Sequence, residues 1–352
     1  MNIDLNSKIA QAIKMGASDV HICSKETVRC RLDDSILPLG KEIPFDGEGL
    51  LDFLLETLDE DSVRKLSARY KKGEEVDFGI SLFGTRFRVN AYRDISGDNA
   101  CMRIIKNKID TPEELGLPPM MMELSKRRYG LVIITGATGS GKSTTLASLI
   151  EKINQERDLH IITIEDPIEF AFTNKKSLIN QRQVGLHTES FAMGLRASLR
   201  EDPDVVMIGE LRDLETARAA LNLAETGHIV FGTLHTSSAA GSIERIIDIF
   251  PHEEQSQVRS VLAEVLLGTL TQCLVPTIGG GRRAAFEFLI SNSAVRNLIR
   301  ESKINMIQNV LQTSSSSGMM TMKDSFLNLL AEGHIDLETA KKYYSGEEAL
   351  LD

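Results

Sequence analysis

The stretch GATGSGKS, residues 136–143, restricts the fold more than any other part of the sequence. It fits the pattern G-x-x-x-x-G-K-[ST] and lies between an apolar run typical of a strand, Leu131 to Ile134, and a run typical of a helix, Thr144 to Ile153. Glycines in such a loop let successive backbone N–H groups surround phosphate oxygens, and the helix start adds its dipole. The sequence therefore predicts a nucleotide-phosphate loop made of Gly136, Ala137, Thr138, Gly139, Ser140, Gly141, Lys142, Ser143 and Thr144.

Two side chains of this loop have predicted roles of their own. Lys142 should reach the terminal phosphates of ATP, and the Ser143 hydroxyl should ligate Mg²⁺. ATP and Mg²⁺ are therefore the expected cofactors.

The hydrophobic pattern predicts two domains in an α/β chain. Residues 76–94 have the period-two pattern of a hairpin around Gly84, and residues 100–106 could form the neighbouring strand. After Tyr129, short apolar runs alternate with amphipathic helical stretches, which predicts a parallel sheet with helices on both faces. After about Ser242 the pattern becomes mostly helical. Proline and charge interrupt the segment between these regions, so the predicted boundaries are an N-terminal domain at 1–106, a linker at 107–119 and a nucleotide-binding domain at 120–352.

The acidic balance of the chain argues against nucleic acid or an anionic membrane surface as its main partner. The formal net charge is -10, whereas neutralising phosphates requires clustered lysine and arginine. The four cysteines show no C-x-x-C spacing, which favours reduced thiols over a zinc or disulfide site. The start of the sequence lacks the features of a signal peptide, and no apolar stretch approaches the ~18 residues of a membrane span. The expectation is a cytoplasmic chain that does not span the membrane.

Acidic side chains follow two of the predicted strands. Glu210 comes after the apolar run Val205 to Ile208, and Glu165 comes after Ile161 to Ile164, with Glu169 shortly beyond it. Ligands of open parallel sheets collect at the carboxyl ends of the strands. We therefore expect these carboxylates to serve the metal ion and the attacking water, and Glu210 is a predicted Mg²⁺ ligand, directly or through water. Which of Glu165 and Glu169 handles the water stays open.

Two histidines flank the run ETGHIVFGTLHT, residues 225–236. If the residues between His228 and His235 form a strand, a rise of ~3.3 Å per residue separates the histidines by roughly 23 Å and sends their side chains to opposite faces. One metal ion cannot bridge them. His235 should lie at the carboxyl end of the strand beside the phosphates, and His228 should lie toward the opposite rim or at a subunit contact.

Successive blocks of the chain resemble the PilT-type twitching-motility ATPases of the secretion ATPase superfamily. The resemblance implies a PAS-like N-terminal domain, a RecA-like ATPase domain and a cytoplasmic ring of six copies with ATP in the clefts. It gives Glu210 the Walker B role, makes His228 and His235 the His-box residues, and matches Arg88 and Arg103 to positions at which arginines of the N-terminal domain approach the nucleotide. The blocks are GASDVH (16–21), FRVNAY (87–92), CMRII (101–105), GATGSGKSTT, TIEDPIEF (163–170), LREDPDVVMIGELRD (199–213) and ETGHIVFGTLHT.

The stretch NSAVRNLIRESK, residues 292–303, resembles a motif of the retraction branch of that superfamily. Its spacing predicts an amphipathic helix with Arg296 and Arg300 on the polar face. The resemblance implies an Mg²⁺-dependent ATPase that powers type IV pilus retraction by acting on an inner-membrane platform protein, and therefore a protein peripheral to the membrane. A pilus-assembly or type II secretion ATPase and an accessory retraction motor are the near alternatives. A RecA-like nucleic-acid translocase is the distant one, against which the acidic balance speaks.

Overall fold

The computed structural model describes residues 4–32, 35–40, 45–105, 108–344 and 350. The chain divides into two compact units. The first comprises Met1–Ile109 with the segments Glu165–Ala171 and Gln183–His187, and the second comprises the remaining segments Asp110–Ile164, Phe172–Arg182 and Thr188–Asp352.

The first unit is an α+β domain built on an antiparallel sheet of six strands in the order β3-β2-β1-β6-β5-β4. Helices pack their apolar residues against one face of the sheet, and side-chain oxygens of Asp4 and Asp59 cap the first and third helices. The predicted hairpin at 76–94 and the strand beside it are confirmed. The elements are α1 (Leu5–Met15), β1 (Asp19–Ile22), β2 (Arg29–Leu32), β3 (Ser35–Pro38), α2 (Leu50–Leu55), α3 (Glu60–Lys71), β4 (Val76–Leu82), β5 (Thr85–Asp94) and β6 (Gly97–Ile105).

The second unit contains a sheet of seven strands in the order β13-β12-β7-β11-β10-β8-β9. Strands β7, β11, β10 and β8 pair in parallel, as the alternating pattern predicts. Strand β12 also runs parallel to β7, and β13 is antiparallel to β12. The strands are β7 (Gly130–Thr135), β8 (His160–Glu165), β9 (Leu178–Gln183), β10 (Val205–Ile208), β11 (Ile229–Leu234), β12 (Leu266–Pro276) and β13 (Arg282–Ile290).

Helices α4 to α13 complete the second unit, and the longest, α5, has 15 residues. Within the described ranges, no helix combines the length and the apolar character needed to cross a membrane. The helices are α4 (Pro119–Ser125), α5 (Lys142–Glu156), α6 (Phe191–Ser198), α7 (Leu214–Glu225), α8 (Ala239–Asp248), α9 (Gln255–Val265), α10 (Ser293–Arg300), α11 (Ile307–Thr313), α12 (Met322–Ala331) and α13 (Leu337–Tyr343).

The central strands of the second unit are buried along their whole length. Every residue of β7, β10 and β11 is buried, which is the environment that a continuous apolar run satisfies. Because these strands run in the same direction, their carboxyl ends bring Thr135, Ile208 and Leu234 to one edge of the sheet. The loops that follow these residues carry the predicted site.

The region after Ser242 is mostly helical, but it also contains the hairpin β12–β13, which the pattern analysis did not predict. The parallel pairing of β12 with β7 makes it an internal strand beside the phosphate loop. A signal for it was present, because the apolar run LLGTLTQCLV is followed by three consecutive glycines, Gly279, Gly280 and Gly281, that form the turn with positive φ.

The division between the units at Ile109 and Asp110 falls within the segment predicted as a linker. Lys106 and Asn107, which mark the predicted end of the N-terminal domain and the start of the linker, lie outside the described residues. The grouping of Glu165–Ala171 and Gln183–His187 with the first unit was not predicted, because membership of a unit depends on tertiary contacts. Pro119, at the predicted end of the linker, is the first residue of α4.

Phe231 tests the contribution of the central strand to the second unit. Its ring is fully buried in β11, so Phe231→Ala should lower the free energy of unfolding by about 3–5 kcal/mol. Urea denaturation followed by circular dichroism measures the change. Leu178→Ala is the matched control, because Leu178 is 52% exposed and its truncation should shift stability by less than about 0.5 kcal/mol.

Candidate active site

The phosphate loop passes directly from β7 to α5 with backbone that only glycine adopts easily. Gly136, Gly139 and Gly141 have φ angles of 144°, 79° and 92°. A Cβ atom on Gly136 would lie 2.3 Å from the Gln272 carbonyl oxygen, so a side chain is excluded there by contact as well as by conformation. The sequence pattern G-x-x-x-x-G-K-S therefore reflects a close approach between the loop and β12.

Lys142 lies at the first position of α5 and is only 9% exposed. Its ammonium group donates to the backbone oxygens of Gly136 at 2.8 Å and Ala137 at 2.9 Å, inside the loop that it belongs to. A buried ammonium group needs such partners because its loss of hydration is costly. The contacts hold the lysine head group against the loop that is predicted to bind phosphate.

Gln272 of β12 is a site residue that the sequence analysis missed. Its side-chain nitrogen donates to the Ser140 carbonyl oxygen at 2.5 Å, and its side-chain oxygen accepts from the Thr145 hydroxyl at 2.9 Å. The glutamine is 2% exposed and uses both ends of its amide to join the loop to the first turns of α5. A polar residue within an apolar run was a visible signal in the sequence. Its position beside the phosphate loop, however, follows only from the pairing of β12 with β7.

Glu210 and His235 come together in the second unit, as predicted from their positions after β10 and β11. His235 Nε2 lies 3.3 Å from Glu210 Oε1, and His235 Nδ1 lies 3.4 Å from Lys142 Nζ. Arg212 contacts the other carboxylate oxygen of Glu210 at 2.6 Å. A chain of polar contacts thus runs from the phosphate-loop lysine through the histidine to the carboxylate.

The contacts of His235 fit one tautomer of a neutral imidazole. In that tautomer Nε2–H donates to Glu210, and the Nδ1 lone pair accepts from the Lys142 ammonium group. The Glu210 side chain is 18% exposed and the His235 side chain is 41% exposed, so solvent reaches the group from the histidine side. The arrangement can orient a water molecule beside the phosphate loop and accept its proton.

His228 is not part of this group. It precedes β11, and its carbonyl oxygen accepts from the N–H of Gly130, the first residue of β7, at the edge of the sheet opposite the phosphate loop. Its Nδ1 lies 3.0 Å from the Leu223 carbonyl oxygen and 3.3 Å from the Thr226 hydroxyl. The expectation of an opposite rim is confirmed, and within one chain the structure does not bring His228 to the loop.

The residues predicted to hold Mg²⁺ supply donors of a suitable kind. Ser143 is exposed in the first turn of α5 and offers a hydroxyl, and Glu210 offers a carboxylate. Mg²⁺ prefers hard oxygen ligands, takes few of them from protein and completes its shell with water and phosphate. Within the described ranges, no group of three or more histidine, cysteine, aspartate or glutamate side chains could hold a metal ion without such help.

The other predicted residues, Glu165, Glu169, Arg88 and Arg103, lie in the first unit. Glu165 is the last residue of β8 and is only 7% exposed, whereas the Glu169 side chain is 31% exposed. Arg88 Nη1 lies 3.6 Å from Glu169 Oε1, and Arg103 Nε lies 3.1 Å from Asp19 Oδ1. The two carboxylates that the sequence could not separate therefore have different surroundings.

Arg88 and Arg103 are directly opposite each other in the pairing of β5 with β6. Side chains of directly paired residues share a face and lie close, and like charges in such a pair repel. Arg86 adds a third arginine on the same face of β5, and the sequence analysis did not single it out. Burial lowers the pKa of Arg86, and the charge of Glu165 opposes that shift. The carboxylates of Glu169, Asp19 and Glu165 therefore offset the like charges of the arginines on this face.

A cavity of about 1010 Å³ opens beside the phosphate loop within the second unit. Its wall includes the loop residues 136–140, Gln272 and Glu287. Burial raises the pKa of Glu287, which is 6% exposed and accepts from the backbone N–H of Ala239 at 2.7 Å. The cavity has the size of a nucleotide-binding pocket, since ligand pockets typically measure ~300–1,000 Å³.

Comparison with known proteins supports the same chemistry. Residues 1–341 match the family model described as type II/IV secretion system protein. The chain is 43% identical to the type IV pilus retraction ATPase PilT of Pseudomonas aeruginosa, over 97% of this chain and 98% of that protein, and 50% identical to a twitching motility protein of Neisseria gonorrhoeae, over 80% and 76%. It superposes with a TM-score of 0.89 on the crystal structure of the pilus retraction motor PilT with bound ADP, at 43% identity and 98% coverage of both chains.

Glu210 is the first test of the site. Glu210→Gln should still bind ATP but hydrolyse it at least ~100-fold more slowly, because the amide can neither accept a proton nor supply the carboxylate charge. Nucleotide binding by fluorescence and steady-state phosphate release measure the two effects. Glu225→Gln, which changes an exposed carboxylate at the end of α7, is the control. Equal loss of binding and turnover would mean that Glu210 is only structural.

Gln272 is the second test. Gln272→Ala removes the bonds to Ser140 and Thr145, so it should loosen the loop and raise KM for ATP by roughly tenfold while kcat changes less. Gln257→Ala, at an exposed position of α9, should leave both constants unchanged. A Gln272→Ala protein with normal KM would show that β12 does not hold the loop in its binding conformation.

Proposed function

The chain belongs to the type II/IV secretion system protein family and is an ATPase, and on that premise we propose that it is the Mg²⁺-dependent hexameric motor that retracts a type IV pilus. The ATPase part of this proposal is supported by the contacts that link Lys142 to His235 and His235 to Glu210 beside the phosphate loop. Retraction is supported by identity over nearly the full length to a retraction ATPase.

Hydrolysis follows from the placement of these groups. The backbone N–H groups of the loop and the Lys142 ammonium group hold the terminal phosphates of ATP. Glu210 and His235 orient a water molecule and take its proton as the new bond to the γ-phosphorus forms and the bond to the bridging oxygen of ADP breaks. Ser143 and Glu210 would hold Mg²⁺, and the bound ion would supply positive charge that offsets the charge of the phosphates.

The first unit contributes arginines and further carboxylates in this proposal. Glu165 or Glu169 assists in positioning the water. Arg88 and Arg103, which form a cross-strand pair, approach the phosphate oxygens and stabilise the charge that spreads over them during transfer. His228, at the opposite edge of the second unit's sheet, serves nucleotide chemistry through contact with a neighbouring copy in the ring.

The motor output requires a surface for a partner, and α10 supplies a candidate. Its apolar side is anchored by Val295 and Ile299, which are fully buried, whereas Asn297, Arg300 and Glu301 are exposed. None of these residues touches the phosphate loop or the Glu210 group. We assign this polar face to contact with the inner-membrane platform protein, at the cytoplasmic side of the membrane.

Deletion of the gene tests retraction against the alternatives. A strain without the protein should lose twitching and carry excess surface pili, because assembly continues without retraction. Wild-type protein and the Leu178→Ala control should restore twitching, and Glu210→Gln should not. Twitching zones and counts of surface pili by electron microscopy are the measurements. Loss of surface pili would indicate an assembly motor instead, and unchanged twitching would indicate an accessory motor or another secretion system.

A further inference from the structure

A second cavity, of about 490 Å³, lies at the edge of the second unit's sheet that is opposite the phosphate loop. Residues 126–129 precede β7, whose other end leads into the loop, and they form one wall. The start of β12 and the start of α10 form the others. The cavity is therefore separated from the nucleotide site by the length of β7.

Basic side chains dominate the polar part of this cavity in a chain whose net charge is -10. Lys126, Arg127, Arg128 and Arg296 line it, with Glu264 as the one acidic residue of the wall. Lys126 is paired with Glu123 at 2.7 Å. In the part of the chain that the structure describes, Arg127 and Arg128 have no carboxylate within salt-bridge distance, so their charges are available to a ligand.

Two polar atoms in the wall are buried and lack a hydrogen-bond partner among the described residues, namely Arg296 Nε and Ser291 Oγ. Ser291 is 6% exposed and Arg296 is half-buried. Buried polar atoms are nearly always paired, because an unpaired one has lost its hydration without replacement. Both side chains can donate hydrogen bonds, so an acceptor oxygen is the partner that both lack.

The backbone holds these donors in fixed positions. The N–H of Ser291 donates to the Leu267 carbonyl oxygen at 2.9 Å, and the side chain of Asn292 caps α10 at Val295. Val295 and Ile299 then bury one side of the helix, which fixes the direction of Arg296. Arg296 therefore lies on a helix packed against the core, and Ser291 lies in the two-residue link between β13 and that helix.

From these observations we propose that the cavity binds an oxyanion, a phosphate or carboxylate group carried by a small molecule. The planar guanidinium groups of arginine match two oxygens of either group, and Ser291 supplies a further donor. The volume lies within the ~300–1,000 Å³ typical of small-ligand pockets, and Val265 and Ile290 offer apolar contact for the body of the ligand. The site is distinct from the ATP site, and the proposal does not depend on pilus retraction.

Calorimetric titration of the full chain with inorganic phosphate, and separately with citrate, tests the proposal. Saturating ADP and Mg²⁺ keep the phosphate loop filled, and constant ionic strength removes general screening. Wild-type protein should bind at least one of the probes with one site per chain. Phosphate alone identifies a phosphoryl ligand, citrate alone identifies a carboxylate ligand, and binding of both identifies a general oxyanion site. Absence of binding by either probe would overturn the proposal.

Variants of the wall show whether the binding belongs to this cavity. Arg296→Gln and, separately, Arg128→Gln should weaken binding at least tenfold, and Ser291→Ala should weaken it less. Arg300→Gln, on the exposed side of the same helix, is the matched control and should bind normally. An equal loss of anion binding in Arg300→Gln would show that the effect comes from general surface charge, and it would overturn the assignment to this cavity. So would ring dissociation of Arg296→Gln in sedimentation without any change in anion binding, because that result would place a neighbouring chain in the cavity.

Discussion

The burial of the Lys142 ammonium group is the interaction on which the nucleotide-binding unit depends. A charge that is 9% exposed must be satisfied, and the carbonyl oxygens of Gly136 and Ala137 do so only if the loop wraps around it. That wrapping requires glycine where the backbone meets β12, and it requires Gln272 to hold the carbonyl of Ser140. The conformation of the phosphate loop therefore depends on β7, β12 and α5 together.

Parallel strands explain why so much of the site was predictable. Once β10 and β11 are recognised as buried runs, the residues after them must reach the edge at which β7 ends, and Glu210 and His235 meet there. The prediction used only the order of elements and the direction of the sheet. The same reasoning placed His228 at the other edge of the sheet, because His228 precedes its strand and does not follow it.

The roles of the residues that were missed depend on contacts between segments that are far apart in the sequence. Gln272 looks like an isolated polar residue until β12 is placed beside β7. Arg86 shares a face with Arg88, but its relation to Glu165 exists only because the segment Glu165–Ala171 joins the first unit. In both cases the residue type was informative and its partner was distant in the chain. Periodicity therefore recovered the elements, whereas strand neighbours and unit membership required the structure.

Two arginines of helix α10 that look equivalent in the sequence differ in their exposure to solvent. Arg296 and Arg300 are one helical turn apart and were predicted to share a polar surface, but Arg296 is half-buried in a cavity wall and Arg300 is exposed. Among the described residues, Nε of the half-buried Arg296 has no hydrogen-bond acceptor, whereas the exposed Arg300 donates to Asn297 Oδ1 at 3.4 Å. A partner that lies against the exposed face and a ligand that enters the cavity would therefore act through different arginines of the same helix. Because Val295 and Ile299 fix the helix against the core, occupation of one surface would alter the other only by moving the helix as a rigid body.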